Sequence, residues 1–88
     1  MSDLDKTLEE RGNRYGSFED NARVSRMLLD VALEADKGKL SVVHIEGLDY
    51  IFKKIARIVN GDPNYDDSWH DIAGFATLVE NWINKDES

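Results

Sequence analysis

Cysteine is absent from this 88-residue chain, which excludes a disulfide framework, thiolate chemistry and a cysteine-ligated zinc site. Proline occurs once, at Pro63, so almost nothing in the chain forbids a continuous helix. No apolar run approaches the roughly 20 residues needed to cross a bilayer. The opening MSDLDKTLEERGNRYG has neither the apolar stretch nor the small-residue cleavage site of a secretory signal. Basic charge is also short: 11 Lys and Arg against 18 Asp and Glu leave a formal net charge of -7. That field repels nucleic acid and anionic membranes except through a local basic patch. A bound cation can still invert it for an anionic small molecule. The expectation is a cytoplasmic protein with neither a membrane nor a nucleic-acid partner.

What is present is helical periodicity. Leu4–Arg11 forms a helical turn or two, ended by Gly12 and Gly16. Ser17, with Asp20 three residues on, has the spacing of a capping box and opens a helix over about 18–36. Ala22, Met27, Leu28, Val31, Ala32 and Ala35 supply its predicted buried face, and Lys37-Gly38-Lys39 stops it. Ser41 caps a second helix over about 41–60, where Leu48, Ile51, Phe52, Ile55, Ile58 and Val59 recur at three- and four-residue spacings. Gly61 and Pro63 end that helix. A third runs over about 64–84, with Asn64 and Asp67 again at capping-box spacing. Its apolar positions, Trp69 to Ile83, cover more than one face, which predicts two packing surfaces, one of them on a second subunit. The fold class is all-α: a three-helix unit with a short N-terminal arm. A chain this short buries only about 60–65% of its unfolded surface, so assembly into a homodimer or homotetramer is expected.

Two charged groups stand out. At about 100° per residue, Glu46, Asp49, Tyr50, Lys53 and Arg57 share one third of the second helix. Asp67 and Asp71 head an apolar line on the third, flanked by Phe75 and Trp82. One reading is bland: exposed ion pairs worth a few tenths of a kcal/mol each, with Asp67 serving the helix dipole. The other is chemical. Glu46, Asp49, Asp67 and Asp71 supply hard oxygen ligands for Mg²⁺ or Mn²⁺, and such an ion orients a water for attack on a phosphoanhydride. Lys54 and Arg57 then neutralise charge developing on the transferred group. A buried Asp71 that held no metal would need a basic partner such as Lys54 or Arg57. His70 is a candidate base or phosphate donor and also reads as an ordinary polar histidine, as does His44. Tyr15 and Phe18 either stack on a base or anchor the N-terminal arm to the bundle.

The segments Glu10-Arg11, Tyr15-Gly16-Ser17-Phe18, Lys54-Ile55-Ala56-Arg57, Asn60-Gly61-Asp62-Pro63-Asn64-Tyr65 and Asp67-Ser68-Trp69-His70-Asp71-Ile72-Ala73-Gly74 resemble those of small phage and prophage proteins. That group is similar to the MazG-like, all-α nucleoside triphosphate pyrophosphohydrolases. The resemblance implies a helical, oligomeric fold that cleaves a nucleotide to its monophosphate and pyrophosphate with magnesium. Taken with the reading of the residues, it gives a candidate site with catalytic roles for Asp49, Lys54, Arg57 and Asp71, metal ligation by Glu46, Asp49, Asp67 and Asp71, and nucleotide contacts from Tyr15, Lys53 and His70. The wider pattern has two glutamates and a third acid on one helix, then Glu-x-x-Asp on the next. Here the first helix offers only Glu46-Gly47-Leu48-Asp49; in the second, Asp71 matches the closing acid but Ser68 stands at the glutamate position, where Asp67 substitutes only from a neighbouring place, so the carboxylate set is thinned. The competing expectation is a non-catalytic helical phage protein that binds a nucleotide or a host protein.

Overall fold

Serine opens three of the helices in the computed structural model, which describes residues 2–85. Helix α1 spans Asp3–Tyr15, α2 Phe18–Ala35, α3 Val42–Asn60 and α4 Asp66–Lys85. The Ser17 hydroxyl accepts from the Asp20 amide at 3.1 Å, satisfying one of the amides that a helix start leaves without a partner. At α3 the cap is reciprocal: Ser41 Oγ accepts from the His44 amide, and His44 Nδ1 accepts from the Ser41 amide at 3.0 Å. His44 thus has a capping role that its position alone did not announce.

Two boundaries differ from the sequence expectation. The N-terminal arm is a full helix running through Gly12, held at its start by Ser2 and Asp5. Its last turn is fastened from outside, where the Asp62 amide donates to the Arg14 carbonyl at 2.9 Å. That contact offsets the roughly 1 kcal/mol that a glycine costs inside a helix. Helix α4 begins at Asp66, because Asp62 organises the preceding turn: its carboxylate accepts from the Asn64 amide and its carbonyl from the Tyr65 amide. Asn64 therefore belongs to the turn. The Trp69 indole donates to the Pro63 carbonyl at 2.9 Å and ties α4 to the same corner.

Helix α3 is the centre of the fold. Helices α2 and α4 pack along it on either side, and α1 rests against it. The result is an all-α, open three-helix bundle with an additional N-terminal helix. Close approach depends on small residues. A Cβ at Gly47 of α3 would collide with the Val79 side chain of α4. At the α1–α2 joint, Gly16 has φ +81° and would drive a Cβ to 2.6 Å from the Asn60 Cβ. Asn60 in turn donates to the Asn21 side chain at 3.1 Å, and the Asn21 amide donates to the Tyr15 carbonyl at 2.6 Å, closing that corner.

The interior is small. Among the described residues, Leu29, Ala56 and Ile58 are the buried apolar side chains, and Ser25 and Ser68 are the buried polar ones. The predicted inward face of α2 is corrected: Met27 and Val31 are 61% and 66% exposed, whereas Ser25 and Leu29 meet α3. The buried Ser25 hydroxyl is satisfied by the Ala22 carbonyl. The chain extends 54 × 28 × 21 Å with a radius of gyration of 15.4 Å, against about 12 Å for a compact domain of this length.

Candidate functional site

Six of the residues assigned to chemistry meet in three separate contacts. Across the α3–α4 seam, Lys54 Nζ stands 3.1 Å from Asp71 Oδ2, with the lysine side chain 15% exposed. The basic partner that a partly buried Asp71 requires is therefore Lys54. On α3 alone, Lys53 Nζ meets Asp49 Oδ2 at 3.0 Å, one helical turn apart. At the corner where α1 meets the α3–α4 turn, the Tyr15 hydroxyl donates to Asp67 Oδ2 at 3.3 Å.

This last corner is the densest polar cluster. The Tyr15 and Tyr65 rings meet edge to face, 5.7 Å apart and 87° inclined. The Arg57 guanidinium lies 4.9 Å from the Tyr15 ring centre, Arg11 lies 5.3 Å from it, and Arg14 lies 5.3 Å from the Tyr65 ring centre. Each is within the range of a cation–π contact. Partial burial, then neighbouring Tyr65, then the Asp67 carboxylate push the Tyr15 hydroxyl pKa above its ordinary value. Tyr15 thereby anchors α1 to the bundle, the plainer of its two expected roles. Sequence reasoning did not single out Tyr65 or Arg14; their pairing depends on two segments meeting that lie far apart in the chain.

With Leu29, Val42 and Ile45, Glu46 and Asp49 line the seam between α2 and α3, and Glu46 also borders the α3–α4 side with Phe75 and Leu78. Asp67 and Asp71 are instead engaged by α1 and by Lys54. His70 is exposed on α4. Among the described residues, no three Asp, Glu or His side chains form a group able to hold a metal ion. The four carboxylates expected to share Mg²⁺ or Mn²⁺ do not present that donor set among the described residues of one chain.

The open surfaces are more distinctive than the acids. On one side of the Gly47–Val79 contact, Val42, Val43, Tyr50, Phe75 and Leu78, with Glu46 at its margin, line a largely apolar groove of about 380 Å³. Tyr50 and Phe75 stack there at 4.5 Å with their planes 9° apart. On the other side, Leu40, Leu48, Ile51, Ala76 and Ile83 line a second of about 610 Å³. His44 and Trp82 meet edge to face near it, 5.4 Å apart. A third groove runs between α1, α2 and α3 around Phe18 and Arg57, with adjoining volumes of about 410 and 280 Å³. Among the described residues, no helix is long and apolar enough to cross a membrane. Comparison with protein-family models, curated proteins and solved structures returns no match for this chain.

Proposed function

We propose that this chain is a non-catalytic helical binding protein that assembles with a second copy of itself through the apolar grooves of α3 and α4. Its surface area carries the reading. The chain exposes 6620 Å², whereas a compact folded monomer of 10.0 kDa exposes about 5200 Å². The excess, roughly 1400 Å², exceeds the about 800 Å² that each partner contributes to an interface of standard size. Val42, Leu78 and Ile83, at 82%, 63% and 42% exposure, are the side chains such an interface would cover.

The engagement of the acids supports the same reading. Asp71 is balanced by Lys54, Asp49 by Lys53, and Asp67 takes the Tyr15 hydroxyl, so each serves the scaffold. A nucleotide or a protein of the host cell is the ligand class expected of such a scaffold. The second reading is a MazG-like pyrophosphohydrolase using Mg²⁺ or Mn²⁺. It is favoured by the resemblance and by the meeting of Lys54 with Asp71 at the seam. Pyrophosphate release from a mixed nucleoside triphosphate pool with either metal separates the two. The binding reading expects none above background. Metal-dependent release that disappears in a folded Asp71→Asn variant would replace it with the enzyme.

A further inference from the structure

We propose that the groove between α1, α2 and α3 docks a short acidic segment of a different protein, with an apolar side chain of that segment seated against Phe18. This rests on the binding-protein reading and names the surface and the partner's chemistry. The groove collects Arg11, Arg26, Lys53 and Arg57, and no carboxylate is among the residues that line it. That distribution is unusual in a chain where acids outnumber bases 18 to 11. Glu19 and Asp20 are engaged by Arg23, outside the groove, and Asp49 pairs with the groove's Lys53, so the positive charge left over is that of the arginines. Among the described residues, Arg11, Arg26 and Arg57 have no carboxylate within ion-pairing distance. Arg11 and Arg57 are instead held over the Tyr15 ring, which orders them while leaving their charge unbalanced.

Phe18 supplies the anchor. It is the first residue of α2 and is 90% exposed, so it contributes nothing to the interior and its helix has no need of it. Aromatic residues and arginine are both enriched where proteins meet, and Phe18 shares its groove with Arg11, Arg26 and Arg57. Leu8, on the facing side of α1, and Ala22, one turn along α2, extend the apolar strip. The two parts of the groove share Phe18, Asn21 and Arg57, so an extended or helical segment passes over the phenyl ring from one to the other.

The walls decide the size of the ligand. Leu8, Arg11, Phe18 and Arg26 are all exposed, and they do not enclose the 70–90% of a small molecule's surface that a small-ligand site buries. A nucleic acid is disfavoured by the net charge of -7, which repels an extended polyanion beyond the groove. A short segment with two or three carboxylates needs only the local cations, within the roughly 8 Å over which they act at physiological salt.

The test is selection of a random displayed-peptide library on the purified protein, followed by fluorescence anisotropy of the enriched peptides. The enriched sequences are expected to combine Asp or Glu with an aromatic or aliphatic residue. They bind more weakly as salt rises, and by about tenfold or more on Arg26→Glu or Phe18→Ser. Both positions are exposed; unchanged circular dichroism and sedimentation show that fold and assembly persist. Lys37→Glu, in the connection between α2 and α3 and outside the groove, leaves binding as it is. Enriched peptides without acidic character, none at all, or groove variants that bind as tightly as the unmodified protein overturn the proposal. So does displacement of the peptides by single-stranded DNA or ATP at lower concentration. Failure here with self-assembly intact removes this groove alone; loss of self-assembly in the unmodified protein removes the broader reading.

Discussion

Gly47 of α3 and Val79 of α4 meet so closely that a single added methyl group would occupy the position of the valine side chain. This contact sets the spacing of the two central helices and separates the two apolar grooves. Gly47→Ala is expected to destabilise the fold by about 1–3 kcal/mol, although alanine is the better helix former. The double variant with Val79→Ala should recover most of that loss. Urea denaturation of the four proteins measures it, and the cycle is informative because the two side chains touch.

The Lys54–Asp71 pair crosses the same seam, with the lysine largely buried and the aspartate 44% exposed. Solvent at the aspartate screens the pair, so Asp71→Asn is expected to cost about 1 kcal/mol, less than the cost of breaking a fully buried pair. Lys54→Met keeps the aliphatic packing and should cost less than Asp71→Asn. The order of the two midpoints in urea is the readout.

Gly16 lies at φ +81° with Asn60 against it. Gly16→Ala combines an unfavourable backbone with a collision and should destabilise by about 1–3 kcal/mol. Because α1 is anchored through this corner, hydrogen exchange in Asp3–Tyr15 should accelerate before that in α3.

Tyr15 carries a pH dependence. Its pKa in the folded protein is raised above the ordinary value of 10.0 by burial, Tyr65 and Asp67. A proton held more tightly in the folded state contributes stability that is fully present below the unfolded value. That contribution is lost as pH rises through the folded value. Stability should therefore decline above about pH 10, and Tyr15→Phe should make the decline shallower. Denaturant midpoints across that range test it.

The cap-forming serines and the Gly61 stop were legible because they act on neighbours three or four residues away. Ser17 and Ser41 open their helices as the spacing predicts, and α3 ends at Asn60. Distant pairings were not legible. Nothing local in Gly12 reveals that α1 continues through it, since the stabilising bond comes from Asp62. Nothing local to α2 distinguishes Ser25 from the more apolar Met27 as the residue facing α3. The charged sites divide in the same way. Asp49 with Lys53 is readable from helical spacing, whereas Tyr15 with Asp67 needs the fold. The four acids looked convergent on two helical wheels, but a wheel gives no information on which neighbouring helix each face meets.

Sedimentation equilibrium of the unmodified chain and of Leu78→Asp tests most directly whether the apolar grooves hold a second copy. Leu78 is 63% exposed at the edge of the α3–α4 groove, so the aspartate is tolerated in a monomer and opposed in an interface. The unmodified protein is expected to sediment as a dimer or a larger closed assembly at micromolar concentration. Leu78→Asp should remain helical while its dissociation constant rises by about tenfold or more. A stable, well-folded monomer of the unmodified chain at those concentrations, or an assembly indifferent to the substitution, would contradict the proposed interface.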